Sequence, residues 1–434
     1  MENTKTIAKA RQGLHGTIEI PGDKSISHRS VMFSALGSTP VHITNFLHAQ
    51  DCLSTAACMK ALGASVEFES ETALTVCGHG LHGLKEASTI IDAGNSGTTL
   101  RLMMGILAPQ PFLTTFTGDA SLHKRPMGRV IKPLSAMGAK IYGRENNTKL
   151  PITIVPAESR LHGMVYESPV ASAQVKSAIL LAGMYADGQT TVVEPFTSRD
   201  HTERMLEAFG VETKKEGTAV TIEPVDSFRA PEAIEVPGDI SSAAYWLVAG
   251  SVVPGSSLLL KNVGVNPTRT GILDVLKAMG ASVTLENERV SGGEAAADIR
   301  VEAAKLHGTS FGAEIMPRLI DEIPVIAVAA LFAEGDTVIT GAGELRVKET
   351  DRLQAITDEF NKLAPGSVEA SEDGLVIHGG TKVQCANCFS YDDHRMAMSL
   401  AILGTAGEGA EIERPDCVNI SYPAFYGTLA RLQA

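Results

Sequence analysis

The chain has little cysteine, no excess of positive charge and no long apolar run, and each absence removes a class of function. Six cysteines in 434 residues are too sparse for a disulfide scaffold. Cys385-Ala386-Asn387-Cys388 is a single C-x-x-C without a second pair or a strand-to-helix redox context, and reads as two free thiols in a loop rather than a metal or redox site. Lys and Arg number 37 against 50 Asp and Glu, a formal net charge of −13. That balance argues against a general nucleic-acid or anionic-membrane partner. No stretch is long enough to span a bilayer, and residues 1–10 hold no apolar core for a signal peptide, so the chain is expected in the cytoplasm. Any anionic ligand must then be met by a local cluster of cations.

What is present is a soluble composition, 44% hydrophobic and 20% charged, on a chain too long for a single core, so two domains are expected. The domains are built from repeats. A helix ending in Leu-Gly, Met-Gly or Phe-Gly and leading into a short strand recurs at Leu62-Gly63, Met137-Gly138, Phe209-Gly210 and Met279-Gly280, with a degraded fifth copy at Leu363-Ala364-Pro365-Gly366. Each glycine suits the left-handed residue just past a helix end. Ile152–Val155 and Ala219–Ile222 alternate as strands do.

A second element is offset from the first: a polar junction, marked by Gly or Pro, that opens an apolar helix. Its six copies lie at residues 21–25, 92–101, 168–177, 237–242, 317–324 and 391–398. The first and fourth are nearly the same words, Ile18-Glu19-Ile20-Pro21-Gly22-Asp23 and Ile234-Glu235-Val236-Pro237-Gly238-Asp239, which divides the chain into halves. The helices that follow, such as 175–184 and 325–332, are apolar nearly all round. They belong inside, with sheet outside them, and their N-termini should converge at one end of each half. A helix start presents unpaired backbone N–H groups to an anion. In the first junction Lys24, Ser25 and Arg29 stand beside them.

In order, Gly22-Asp23-Lys24-Ser25-Ile26-Ser27-His28-Arg29, Gly94-Asn95-Ser96-Gly97-Thr98, Arg125-Pro126-Met127, Ser172-Ala173-Gln174, Arg346-Val347-Lys348-Glu349-Thr350-Asp351-Arg352 and Asp393-His394-Arg395-Met396-Ala397-Met398 resemble the 5-enolpyruvylshikimate-3-phosphate (EPSP) synthase family. The likeness runs over essentially the whole chain. It implies an α/β fold: a two-domain inside-out α/β barrel of six βαβαββ-type units, three per domain. The expected domains are 21–238, mainly for shikimate 3-phosphate, and 1–20 plus 239–434, with the catalytic carboxylates and part of the phosphoenolpyruvate site.

The resemblance also implies the reaction, transfer of enolpyruvyl from phosphoenolpyruvate to the 5-hydroxyl of shikimate 3-phosphate with release of phosphate. It assigns Lys24, Ser25, Arg29, Ser172, Ala173, Gln174, Ser198, Asp321 and Lys348 to shikimate 3-phosphate. Lys24, Gly97, Arg125, Gln174, Arg352 and Arg395 are assigned to phosphoenolpyruvate. Asp321 accepts the hydroxyl proton, Glu349 serves the methylene carbon, and Lys24 is a further acid-base candidate. No metal or organic cofactor is implied, because phosphoenolpyruvate carries its own leaving group. The substrates are small molecules, with no nucleic-acid or membrane partner, and a monomer is expected. Since the implied ligands come from both halves, closure on shikimate 3-phosphate is expected as well.

Three of these residues also have purely structural readings. Asp321 begins a helix and could be an N-cap, Glu349 could form a helix-surface pair with Arg352, and His394 could be an orienting group or a core histidine. The family often has a lysine in the segment matching Cys417–Pro423, and none is present. The related UDP-N-acetylglucosamine enolpyruvyl transferases typically carry a reactive cysteine in the loop matching Gly118–Pro126, where this chain has none. A phosphometabolite-binding paralogue without catalysis is the other alternative.

Overall fold

The computed structural model describes residues 3–291 and 293–434. The chain divides into two compact units, one made of Met1–Pro21, Pro237–Val290 and Ala295–Ala434, the other of Gly22–Val236 with Ser291–Glu294. Each unit has its own apolar core.

In the Gly22–Val236 unit the core is made by three helices, Lys24–Leu36, Gly97–Leu107 and Ala173–Gly183. They have no broad polar face: in Ala173–Gly183 every residue from Val175 onward is buried. The strands around them alternate buried and half-buried positions, as in Val41–Thr44, Thr114–Thr117 and Thr190–Val193. One face of each sheet therefore covers the helices and the other meets water. The unit led by Pro237 repeats this with Ile240–Val252, Ile323–Leu331 and His394–Ala406. All nine residues of Ile323–Leu331 are buried, and each large aliphatic side chain there contributes about 1.5–3 kcal/mol.

The described strands form six sheets, five of four strands and one of three. A complete repeat is seen at Ile91–Asp92, which runs parallel to Thr114–Thr117 across the helix between them; Lys149–Val155 then joins antiparallel, followed by Lys140–Gly143. Among the described residues the three-stranded sheet has no final hairpin of its own. The amino-terminal strand Thr4–Ile7 takes that place, antiparallel to Ala410–Glu413.

The two near-identical junctions have a structural counterpart. His15–Glu19, the strand before helix Lys24–Leu36, pairs in parallel with Ser257–Gly264, which follows helix Ile240–Val252. Ala233–Glu235, the strand before helix Ile240–Val252, pairs in parallel with Val41–Thr44, which follows helix Lys24–Leu36. The two units have traded first strands, and each Pro-Gly-Asp is where the chain leaves one sheet for the other core. A Cβ on Gly22 would lie 1.9 Å from the Asn45 carbonyl oxygen, and one on Gly238 would lie 2.8 Å from that of Asn262. Both asparagines are left-handed, at φ 52° and 54°. Only glycine permits this approach.

The repeat glycines behave as their positions require: Gly63, Gly138, Gly210 and Gly280 have φ of +95°, +100°, +77° and +85°. In the fifth copy helix Arg352–Leu363 is capped by Ala364, and the left-handed residue is Gly366 at φ +74°. Pro365 has displaced it by one position. Cys388, expected in a loop, is buried in strand Asn387–Phe389, while Cys385 is exposed. No helix among the described residues is long and apolar enough to cross a membrane.

Candidate active site

In the Gly22–Val236 unit the first turns of the three core helices are tied together at one end. Asp23 caps the first helix, its Oδ1 accepting from the Ile26 N–H at 2.9 Å, and Lys24 follows with its Nζ 2.7 Å from Asp51 Oδ2. Arg29 is buried. Its Nε donates to Thr202 Oγ1 at 2.8 Å, Nη2 to Ser177 Oγ at 2.9 Å and Nη1 to the Ser25 carbonyl at 2.9 Å. Burial lowers its pKa to about 10, opposed by the negative charges of Glu203 and Asp23. Its three acceptors are uncharged.

The second helix starts at Gly97 with Ser96 as its cap, Ser96 Oγ accepting from the Thr99 N–H at 3.1 Å. A Cβ on Gly97 would stand 3.0 Å from Arg101 Nη1 and 3.4 Å from Arg125 Nη1. The bare glycine thus keeps a helix start open beneath two guanidinium groups. Arg125 Nη2 donates to Asn95 Oδ1 at 2.9 Å. Gln174 receives Arg101 Nη1 at 2.6 Å and donates through Nε2 to Thr98 Oγ1 at 2.9 Å. Gly97, Arg125 and Gln174 are therefore neighbours in one network, which the sequence grouped only through the family likeness.

A buried chain of polar atoms runs behind these starts: His28 Nδ1 to Thr55 Oγ1 at 2.6 Å, Thr55 to Thr99 at 2.6 Å, and Thr99 Oγ1 to Ser96 Oγ at 2.7 Å. Burial, and after it the charges of Lys24 and Arg29, push the His28 pKa well below its ordinary value.

Ser172 stands at the N-cap position of the third helix, yet its hydroxyl makes no capping bond. Its N–H instead donates to Glu194 Oε1 at 2.8 Å. Glu194 Oε2 accepts from Ser198 Oγ at 2.7 Å and from the Ser198 N–H at 3.3 Å. Neither Glu194 nor its buried partner Lys176 was singled out from sequence. A lysine inside a helix with no polar face was the available signal, because a charge in such a place requires a partner.

The unit led by Pro237 gathers its carboxylates around one cation. Arg352 has only 1% of its side chain exposed. Its Nη2 lies 2.7 Å from Glu349 Oε2 and its Nη1 3.5 Å from Asp321 Oδ1. Its Nε and Nη2 hold Asp393 at 2.8 and 3.2 Å. Burial works against the charge of Arg352, but Asp393 and Glu349 outweigh it and raise the pKa. Arg395 donates through Nη1 to the Asp321 carbonyl at 3.0 Å, and Lys348 Nζ sits 3.6 Å from Asp321 Oδ1. Asp321, Glu349, Lys348, Arg352 and Arg395 are thus one constellation.

Two of the bland alternatives do not describe this geometry. Asp321 lies in the 3₁₀ turn Ile320–Glu322, and Glu322, not Asp321, occupies the N-cap position of helix Ile323–Leu331. Glu349 precedes the helix that begins at Arg352 with Asp351 as its cap, so its pair with Arg352 is not a pair on a helix surface. His394 is the buried first residue of its helix. In the segment that lacks a lysine, Tyr422 accepts a hydrogen bond from Trp246 Nε1 at 3.0 Å, which ties it to the core. Among the described residues no group of three or more His, Cys, Asp or Glu side chains could hold a metal ion.

The arrangement offers helix starts and guanidinium groups for phosphate and carboxylate, and carboxylates held by cations for proton transfer. Comparison with known proteins agrees in kind. The family model for EPSP synthase (3-phosphoshikimate 1-carboxyvinyltransferase) matches residues 8–429. A 3-phosphoshikimate 1-carboxyvinyltransferase from Bacillus cereus is 52% identical over 99% of both chains, and one from Desulforamulus reducens is 50% identical over 96% of both. The solved EPSP synthase from Acinetobacter baumannii superposes with a TM-score of 0.87 at 42% identity, covering 99% of this chain and 98% of that one. The enolpyruvyl transferase NikO from Streptomyces tendae, at 17% identity and a TM-score of 0.80 over 100% of this chain and 98% of its own, shares the fold. On a match that spans nearly every residue, the chain belongs to the EPSP synthase family.

Proposed function

We infer that this chain is a 3-phosphoshikimate 1-carboxyvinyltransferase, transferring enolpyruvyl from phosphoenolpyruvate to the 5-hydroxyl of shikimate 3-phosphate in the shikimate pathway. Family membership and full-length relatives of that name support the reaction. The observation that carries the chemistry is that Asp321 and Glu349 both lie on the buried guanidinium of Arg352. A cation shared in this way fixes the direction of both carboxylates.

In this reading Asp321 takes the proton of the attacking hydroxyl as the new C–O bond forms, and Glu349 delivers a proton to the methylene carbon. In the second half the C–O bond to phosphate breaks, phosphate leaves with the proton that Asp321 took from the hydroxyl, and Glu349 takes back a proton from the methyl group. Lys24 serves as a further acid-base group at the phosphate end. Ser25, Arg29, Ser172, Ala173, Gln174, Ser198 and Lys348 hold shikimate 3-phosphate. Gly97, Arg125, Gln174, Arg352 and Arg395 hold phosphoenolpyruvate, with Gly97 giving access to backbone N–H groups. The enzyme is read as a cytoplasmic monomer, which light scattering would test against the chain mass of 45.8 kDa.

The deciding experiment measures phosphate release from phosphoenolpyruvate with shikimate 3-phosphate, with UDP-N-acetylglucosamine, and with Glu349→Gln as control. Release that needs shikimate 3-phosphate and collapses in the variant is expected. Release only with the nucleotide sugar would move the activity to the related transferases, and none with either acceptor would leave a binding protein.

A further inference from the structure

We propose that Glu194, neutralised by the buried Lys176, is a positioning residue that sets Ser172 and Ser198 as one edge for the phosphate of shikimate 3-phosphate. The inference rests on the reading above, in which those two serines hold that substrate.

Ser172 and Ser198 lie on separate loops, one opening helix Ala173–Gly183 and the other leading to helix His201–Ala208. A single carboxylate bridges them. Glu194 Oε1 takes the Ser172 N–H at 2.8 Å, and Oε2 takes the Ser198 hydroxyl at 2.7 Å and its N–H at 3.3 Å. Glu194 is 3% exposed, and a buried carboxylate needs a partner. Lys176 Nζ supplies the pairing at 3.2 Å, lies 2.8 Å from Glu203, and donates to the Ser198 carbonyl at 3.5 Å. Burial works against the charge of Lys176, but Glu203 and Glu194 outweigh it and raise the pKa. Ser198 is thus held at its N–H, its carbonyl and its side chain by one ion pair.

This brace accounts for the Ser172 hydroxyl, which does not cap its own helix. With the N–H committed to Glu194, the hydroxyl is left for a ligand. Ser198 is handled differently, since in the ligand-free protein its hydroxyl hydrogen is given to Glu194. When phosphate arrives, that hydrogen turns to it. Glu194 keeps the two backbone N–H groups and Lys176, so the exchange strands no buried charge. The loops keep their separation while one donor changes partner.

The test is a comparison of Glu194→Gln, Glu194→Asp and Ser198→Ala, with KM for each substrate and kcat measured separately. Glutamine preserves shape but sets an amide N–H against a backbone N–H, and aspartate keeps the charge but is one methylene too short to bridge both loops. Each Glu194 variant should raise KM for shikimate 3-phosphate about tenfold, the worth of one charge-assisted bond. The KM for phosphoenolpyruvate at saturating shikimate 3-phosphate and kcat should stay within about twofold. Glu194→Gln combined with Ser198→Ala should cost little more than the worse single change. If Ser198→Ala leaves the KM for shikimate 3-phosphate unchanged, the reading of the site fails. If Ser198→Ala raises it and neither Glu194 variant does, the brace is overturned while the site stands. A loss of kcat and both substrate affinities together would reduce Glu194 to a general stabiliser. Should Glu194→Gln fail to fold, Glu194→Asp, which keeps the ion pair with Lys176, carries the same comparison.

Discussion

Arg352 grips Asp393 with two guanidinium nitrogens, Nε to Oδ2 at 2.8 Å and Nη2 to Oδ1 at 3.2 Å, in the buried core of its unit. Asp393 in turn caps helix His394–Ala406, its Oδ1 accepting from the Arg395 N–H at 2.8 Å. One guanidinium therefore fixes the start of a core helix, the residue that follows the cap by two, and the carboxylate of Glu349 2.7 Å away.

Replacing Arg352 by Gln should cost stability and activity together. The change removes the fork and leaves Asp393 buried without its cation, a loss of about 3–5 kcal/mol. Urea unfolding at neutral pH should read that loss, and phosphate release by the folded fraction should fall at least about a hundredfold. A variant within about 1 kcal/mol of the parent would show that the fork is not what holds this helix start.

Gly97→Ala separates the two substrates. Its new Cβ would stand 3.0 Å from the end of Arg101 and 3.4 Å from that of Arg125, so the two guanidinium groups must give by a few tenths of an ångström at the helix start they flank. The fold should tolerate the change, since alanine is favoured over glycine in a helix by about 0.5–1 kcal/mol. The KM for phosphoenolpyruvate should rise about tenfold, the effect of displacing one charge-assisted contact, with that for shikimate 3-phosphate near its original value. Equal rises in both would place Gly97 outside the phosphoenolpyruvate subsite.

The repeats were legible because their signals are local. A helix with no polar face must be buried wherever the chain goes, and Gly63, Gly138, Gly210 and Gly280 announce helix ends through backbone sterics alone. The traded strands were not legible in the residues themselves; only the family likeness, which groups 1–20 with 239–434, implied them. His15–Glu19 pairs with Ser257–Gly264, and nothing in a strand names a partner so distant in sequence. The same limit hid the Glu194 brace, whose three contacts bring together Ser172, Lys176 and Ser198. It also hid the network that seats Gln174 between Arg101 and Thr98. Local reading misplaced Asp321 as a helix opener, because Pro324 signals a first turn and Asp321 falls in the 3₁₀ turn before it. Cys388 reads as a loop residue in the sequence because the strand that holds it has only three residues.

Gly138→Ala tests the helix-end argument without touching the site. A Cβ there meets nothing closer than His162 Cδ2 at 3.9 Å, so any cost is that of an alanine held at φ +100°. Thermal or urea unfolding should show a loss of about 1 kcal/mol, with turnover per folded molecule unchanged. No measurable loss would mean that the turn relaxes out of the left-handed region.

The buried His28 makes stability depend on pH with a definite sign. Burial, aided by the charges of Lys24 and Arg29, holds its folded-state pKa well below the ordinary value. In the unfolded chain the same imidazole titrates near about 6.5. Below that pH the unfolded state binds a proton that the folded state refuses, so folding loses up to about 1.4 kcal/mol per pH unit as the medium acidifies. The loss continues until the folded-state pKa is reached. Above pH 7 both states are neutral and the group contributes no slope. His28→Asn keeps an amide that can bond to Thr55 Oγ1, the partner of Nδ1 at 2.6 Å, and removes the titration. The variant should be less stable than the parent at pH 7.5, by about 1–3 kcal/mol for the lost packing. That deficit should shrink steadily between pH 6.5 and 5, because only the parent is losing stability to proton uptake. Urea unfolding curves for both proteins at half-unit steps would measure it, and a deficit constant across that range would mean that His28 takes up its proton in the folded state.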